Sequence, residues 1–226
     1  MYECMHEAKK QGKISHISVT AHKIQVAMDC VASGLYENMQ FPFSYLASEK
    51  EMDLLKACKE ANMGFIAMKG LAGGLINNSK AAMAFMTQFD NVLPIWGIQK
   101  MSELKEWLAF MDEKPEMTEE ITAFIEKEQK ELCGDFCRGC GYCMPCPAGI
   151  MINQCARMSL MIRRAHSAGW LSESMQEEMK KIEGCLHCNK CMSKCPYELN
   201  TPELLLKNYE DYKKVIAGEV SVAYEK

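Results

Sequence analysis

The sequence predicts an α/β fold of about four βα units, followed by a small helical domain rich in cysteine. Short apolar strand candidates alternate with helical patterns over residues 1–112. Beyond residue 134 no strand pattern is present, and two runs of four cysteines occur, spaced by three residues except for the last step of the second run, which is four. We therefore expect two domains, at 1–112 and 135–226, joined by a helical linker at 113–134.

The strand candidates are short apolar segments, each followed by a helical pattern: residues 14–19, 39–43, 64–68 and 92–97. Ser48 and Glu51 form a predicted capping box at the start of one helix, and Gly34 follows the apolar stripe of another. Helices between buried strands imply parallel pairing and right-handed crossovers.

The cysteines of the second domain form two runs, each closed by a Cys-Pro pair. The runs are Cys137, Cys140, Cys143 and Cys146, and then Cys185, Cys188, Cys191 and Cys195. A C-x-x-C-x-x-C loop delivers three thiolates to three corners of a cubane, and the cysteine before proline usually ligates the other cluster. The pattern predicts two 4Fe-4S centres, one held by the first three cysteines of run one with Cys195, the other by the first three of run two with Cys146.

Three alternatives to two clusters are zinc, disulfides and a single cluster. Zinc knuckles also use C-x-x-C, but a tetrahedral site takes two pairs and leaves the third cysteine without a role. Disulfides are disfavoured by crowding within each run and by a start that does not resemble a secretory leader. The first run has two residues before Cys146, where the bacterial ferredoxin pattern has three, so Cys133 is an alternative ligand.

Composition limits the partners. The formal charge of −4 and a pI of about 5.8 argue against nucleic acid, and no apolar run reaches the roughly 20 residues of a membrane span. A reducing cytoplasm is the expected location. The 19 methionines are expected to fill core space, because thioether is a weak ligand beside so many thiolates.

Several segments resemble one enzyme family. GKISHISVT at 12–20 and MQFPFS at 39–44 look like consecutive strands of aldo/keto reductases, and IAMKGLAGG at 66–74 and LPIWGI at 93–98 resemble the last two. CGYCMPCP at 140–147 is similar to the subfamily that carries a C-terminal 4Fe-4S domain and has the same short spacing before Cys146. The resemblance covers nearly the whole chain and implies strands five to eight of a TIM-type β/α barrel, before a ferredoxin-like dicluster domain.

The resemblance also implies what is missing. A full barrel needs about 250 residues, and the family's catalytic Asp, Tyr, Lys and His lie in the first four units. No residue is therefore assigned a catalytic role, and Tyr2, Lys13 and His16 are not substitutes.

The resemblance further implies nicotinamide contacts at Thr20 and Gln40 and a phosphate-side loop at 97–102. Ordinary polarity at strand ends is the alternative for the two side chains. Ala21 and Glu103 depart from the family pattern and argue against recognition of a 2′-phosphate.

Two functions remain open. The chain is either part of an aldo/keto reductase-like iron-sulfur oxidoreductase that needs a complementing half-barrel, or a ferredoxin-like electron carrier whose half-barrel is a docking module. Clusters carry single electrons and NAD(P) delivers hydride, so direct transfer between them is not expected. Either a flavin, here or on a partner, divides the electron pair, or the clusters transfer electrons to a separate acceptor, or they mainly stabilise the domain. An electron donor or acceptor protein is expected in both, and the open face of half a barrel predicts self-association.

Overall fold

The computed structural model describes residues 2–132, 136–164 and 167–222. It contains four strands and twelve α-helices within these ranges. The strands are β1 (Ser18–Thr20), β2 (Asn38–Pro42), β3 (Gly64–Met68) and β4 (Val92–Pro94). The helices of the first half are α1 (Tyr2–Lys10), α2 (Ile24–Ser33), α3 (Glu49–Glu60), α4 (Ser79–Met86), α5 (Met101–Asp112) and α6 (Glu119–Leu132). Those of the second half are α7 (Ile152–Cys155), α8 (Met158–Arg164), α9 (Ser167–Trp170), α10 (Glu173–Lys180), α11 (Lys190–Lys194) and α12 (Thr201–Ile216).

The four strands form one parallel sheet in the order β1-β2-β3-β4. Each strand is linked to the next by a helix, as the alternating pattern predicts, so the partial α/β barrel is confirmed. Strand β3 has the predicted bounds. β1 begins at Ser18 rather than at residue 14, because its partner β2 begins at Asn38 and earlier residues have no strand to pair with.

The chain divides into two compact units. The first comprises Met1–Leu71 and Asn78–Gln129, and the second comprises Ala72–Asn77 and Lys130–Lys226. Helix α6 begins in the first unit and ends in the second. The domain boundaries at residues 112 and 134 stay a prediction.

One face of the sheet packs against helices to form the core of the first unit. Met39, Phe41 and Phe65 are almost fully buried there, with Leu54 of α3 and Met86 of α4. Two local features agree with the predicted helix limits. The Ser48 N–H donates to the Glu51 carboxylate at 2.7 Å, and Gly34 ends α2 in the left-handed conformation.

The core of the second unit is formed by helices and the loops next to them, without a strand among the described residues. Buried side chains from the segment around α7 and α8 and from α12 contribute much of it, among them Ile150, Ile152, Met158, Ile162, Leu205 and Tyr212. Asn208 of α12 is buried and joins these elements, since its side chain accepts from the Ser159 N–H and donates to the Ala156 carbonyl.

No described helix is long and apolar enough to cross a membrane.

Candidate metal centres

The chain turns sharply at the second cysteine of each run, where the backbone is irregular. In the first loop Cys140 is flanked by Gly139 and Gly141, both with positive φ. In the second, Cys188 is flanked by His187 and Asn189, at φ of 47° and 57°. Left-handed residues on both sides of a cysteine bend the chain around it. The two runs therefore share one backbone device, built from glycines in one and from His and Asn in the other.

The first cavity is lined by four cysteines from both runs: Cys137, Cys140, Cys143 and Cys195. It encloses about 340 Å³, part of it open to solvent, and its other walls include Ile152 and Leu199. The chain thus brings Cys195 to the side of the first loop, as cross-ligation requires. The four cysteines predicted for one cluster line one space.

The second cavity is lined by the other four cysteines, Cys146, Cys185, Cys188 and Cys191. It encloses about 400 Å³, part of it open to solvent, with walls that include Ile150 and Leu205. Cys143 also borders this space, so the two cavities adjoin. Cys133, the alternative to Cys146, lies outside the described residues.

The second run gains its geometry from short helical elements. A 3₁₀ turn at Lys181–Gly184 leads into Cys185, Cys191 lies within α11, and Cys195 caps the C-terminus of that helix with its N–H on the Met192 carbonyl. Because α11 has only five residues, Cys191 and Cys195 end close together but line different cavities.

The buried thiols of the two cavities favour the binding of a positively charged group. Burial first, and then the charges of the nearby Cys137 and Cys140, raise the pKa of Cys143 to about 12. Burial also raises the pKa of Cys137 and of Cys191, and cysteines from both runs contribute in each case. Several thiolates in one apolar space repel each other, so they need positive charge between them.

No three histidine, cysteine or acidic side chains of the described residues converge on a single ion position. A cubane does not require such convergence, since each thiolate binds a different iron at its own corner. The cavities, their apolar walls and their four-thiol sets therefore fit two 4Fe-4S groups.

Arg157 is a residue near this centre that the sequence patterns did not single out. It is only 9% exposed, and its guanidinium is close enough to Cys137 for their charges to interact. The one sequence signal is an arginine between the apolar residues Ala156 and Met158.

The first unit brings the two predicted nicotinamide contacts together. Thr20 and Gln40 are register partners on β1 and β2. Thr20 is exposed, and the Gln40 amide faces the Met68 sulfur at 3.6 Å. Both lie on the sheet face away from the helical core, because their neighbours Val19 and Met39 pack into that core.

The predicted phosphate-side loop is already capped by a carboxylate. Glu103 of α5 accepts the backbone N–H of Gln99 at 2.8 Å and that of Lys100 at 3.1 Å. These two hydrogen bonds lower the pKa of Glu103. A phosphate at this helix N-terminus would compete with a negative charge for the same donors.

Two of the residues excluded as catalytic substitutes, His16 and Lys13, lie on the surface. His16 is exposed, and its Nδ1 is 2.6 Å from the Glu37 carboxylate, which also contacts Lys9. Lys13 is exposed near the end of α1. Neither borders the cysteine-lined cavities.

Two family models match the chain. The model described as "Aldo/keto reductase family" matches residues 1–113, and the model described as "4Fe-4S dicluster domain" matches residues 136–200. No curated protein matches the chain. The aldo/keto reductase match covers all four strands, and the dicluster match covers both cysteine runs.

Proposed function

This chain belongs to the aldo/keto reductase family and carries a 4Fe-4S dicluster domain, and on that basis we propose that it is an iron-sulfur oxidoreductase that passes single electrons through two clusters. When bound, such clusters accept and release one electron at a time. An iron-sulfur oxidoreductase-like function follows from the two family matches. The number of clusters and the ligand sets are our proposal.

The observation that carries the proposal is the sorting of the cysteines into two cavities. We assign Cys137, Cys140, Cys143 and Cys195 to one cluster, and Cys146, Cys185, Cys188 and Cys191 to the other. The support is that each set lines its own cavity and that each cavity draws on both runs. Adjoining cavities favour transfer between the clusters, because Cys143 borders both.

The cysteine loops hold the cavities in shape in ways that do not depend on metal alone. The Gly139 N–H donates to Cys137 Sγ at 3.4 Å, an interaction that stabilises a thiolate. Tyr209 donates to Glu183 at 2.8 Å and ties α12 to the turn before Cys185. These contacts support the position of Cys137 and of the turn that leads into Cys185.

For the sheet unit we propose a nicotinamide-binding role only with a complementing half-barrel. Thr20 and Gln40 stand side by side, which supports a shared ligand contact. Glu103 opposes binding of the phosphates by this chain alone. A flavin on a partner would then divide the hydride pair into single electrons for the clusters.

The second candidate is a ferredoxin-like electron carrier or docking module without intrinsic catalysis. The N-terminus of α5 is already capped by Glu103, which opposes phosphate binding and so favours this candidate. A chain that binds no dinucleotide has no hydride source of its own. Both candidates need an electron donor or acceptor protein, in agreement with the ferredoxin-type domain. We place the protein in the cytoplasm, because the twelve described cysteines form no disulfide with one another, which suits a reducing compartment.

We also propose self-association through the open face of the sheet. Leu93 on this face is 62% exposed, and Ile66 beside it is partly exposed. Parallel sheets are rarely stable with one bare face. A second copy or a complementing half-barrel would cover these side chains.

One experiment tests the proposed electron transfer. The anaerobic chain, reduced with dithionite and desalted, is mixed with oxidised cytochrome c. We expect rapid reduction of the cytochrome, and none with chain stripped of iron by a chelator, which keeps the same thiols. Equal rates for both forms would contradict the proposal. Carbonyl reduction with NADH or NADPH by the chain alone would instead contradict the need for a complementing half-barrel.

A further inference from the structure

Arg157 is a buried cation between α7 and α8. Its guanidinium donates to the Gly73 carbonyl and contacts the Met161 sulfur, both within the second unit. Its Nε is buried and has no hydrogen-bond partner. Burial of an arginine without an anion costs several kcal/mol, so natural proteins almost always pair such a charge.

No carboxylate within residues 2–132, 136–164 or 167–222 forms an ion pair with Arg157. The neighbouring arginines of α8 differ in this respect, since Arg163 pairs with Asp211 and Arg164 with Glu131. A negative charge other than a carboxylate of these residues must therefore compensate Arg157.

The guanidinium lies against the first cysteine loop. A Cβ built on Gly139, between Cys137 and Cys140, would stand 2.5 Å from Nη1 of Arg157. Only glycine at this position allows so close an approach. Burial lowers the pKa of Arg157, and the negative charge of Cys137 opposes that shift.

We propose that Arg157 is the fixed counter-charge of the cluster held by Cys137, Cys140, Cys143 and Cys195, and that it raises the reduction potential of this cluster above that of the other. The inference rests on the proposed function. Reduction adds one negative charge to an already anionic group, and a cation in a dry, low-dielectric site stabilises the reduced form.

Among the described residues, the lining of the second cavity contains no cation as buried as Arg157. The charged neighbour of this cavity is Lys190, which is exposed and therefore screened by water. Arg157 approaches the first cysteine loop from behind Gly139. The cation in the lining of the first cavity itself is Arg138, which is partly exposed and lies over the Tyr197 ring at 4.4 Å. Electrons entering the domain are thus expected to settle on the first cluster.

The test compares Arg157→Gln, Arg157→Lys and Arg163→Gln in the full chain. The potential of each cluster is measured by redox titration followed by electron paramagnetic resonance. Arg157→Gln should make reduction of the first cluster at least tenfold less favourable, a fall of 59 mV or more for one electron. The second cluster should change less. Arg157→Lys keeps the charge and should shift the first potential less than Arg157→Gln.

Arg163→Gln is the matched control, because it removes an arginine from the same region whose charge is already paired. It should leave both potentials unchanged. Equal shifts from Arg157→Gln and Arg163→Gln, or no shift from Arg157→Gln with iron retained, would overturn the proposal.

A second pair covers the case in which Arg157→Gln does not retain iron. A Cβ at Gly73 would meet Nη1 of Arg157 at 2.8 Å, whereas one at Gly74 meets only a methyl of Met161 at 3.9 Å. Both glycines have positive φ, so Ala costs similar backbone strain at each. Gly73→Ala should displace the guanidinium and lower the first potential, and Gly74→Ala should not. Equal potentials in the two variants would refute the inference.

Failure of the proposed function gives a different result. If the parent chain shows no iron-sulfur signal in the same titration, the proposed clusters are refuted. If it shows two signals whose potentials do not depend on Arg157, only this inference is refuted.

Discussion

Cys195 lies with Cys137 at the wall of one cavity, although the two cysteines belong to different runs. Their charges are close enough to interact. In the same way Cys146 of the first run lies near Cys191 of the second. Each run therefore completes the other, and neither loop alone supplies four thiols to a cavity.

Replacement of Cys195 by Ser should damage the cluster built on Cys137, Cys140 and Cys143. A hydroxyl is a poor substitute for a thiolate, and the second cluster keeps all four of its ligands. Electron paramagnetic resonance of the reduced protein should show loss or conversion of one signal. The control is Cys155→Ala, which removes a buried cysteine that borders neither cavity. Damage confined to the other signal would show that cross-ligation is wrong.

Gly70→Ala should destabilise the sheet unit by about 1–3 kcal/mol, the usual cost of overpacking. A Cβ there would lie 2.5 Å from the Trp96 ring, which is held in a stack on Trp107 with centroids 4.1 Å apart. Urea unfolding followed by tryptophan fluorescence measures the change. Gly97→Ala is the control, because a Cβ at Gly97 meets no atom within 4 Å. Equal midpoints for the two variants would contradict this packing.

Acid should weaken the attachment of α1 through Glu37. Hydrogen bonds from Lys9 and then His16 lower the pKa of Glu37 from 4.5 to about 2. A depressed carboxyl pKa stabilises the fold above the unfolded value, and that stability is lost as pH falls from about 4.5 toward 2. The urea midpoint of the parent should fall relative to that of Glu37→Gln across this window.

Acid also protonates other groups, but these effects are the same in the parent and in Glu37→Gln, so they cancel when the two urea midpoints are compared. Glu60→Gln serves as the control, since Glu60 only meets Lys56 at 4.0 Å on an exposed helix face. A parent and a Glu37→Gln variant with parallel pH curves would refute the contribution of Glu37.

Leu93→Asp should reduce self-association in light scattering of the reduced, anaerobic protein. Leu93 stands on the open sheet face, and a carboxylate there would be costly to bury in an interface. Leu35→Asp changes another exposed leucine, located in the turn between α2 and β2, and should leave the mass unchanged. A parent chain that scatters as a monomer would reject self-association.

Much of this architecture is encoded in local patterns. Strand β3 matches its predicted bounds because residues 64–68 are apolar and lie between turn signals. The ends of β1 and β4 were less predictable, since they depend on where a neighbouring strand begins and ends. β4 pairs with β3 only as far as Pro94, although the apolar run continues.

The candidate metal centres likewise combine features that the sequence predicts with features that it does not predict. The cysteine spacing predicts three ligands of each set from sequence alone, because the geometry of the C-x-x-C-x-x-C loop is local, and the fourth is predicted from the Cys-Pro pattern of two-cluster ferredoxins. Arg157 could not be found in this manner. Its importance comes from the approach of two distant glycines, Gly73 and Gly139, to one guanidinium, and such contacts leave no periodic signal. The capping of the α5 N-terminus by Glu103 was visible only as a departure from the family pattern.

Iron and acid-labile sulfide content of the anaerobically purified chain test the central claim most directly. Two cross-ligated cubanes require about eight iron and about eight sulfide per chain. About four of each would contradict the second cluster, and stoichiometric zinc without iron would contradict both.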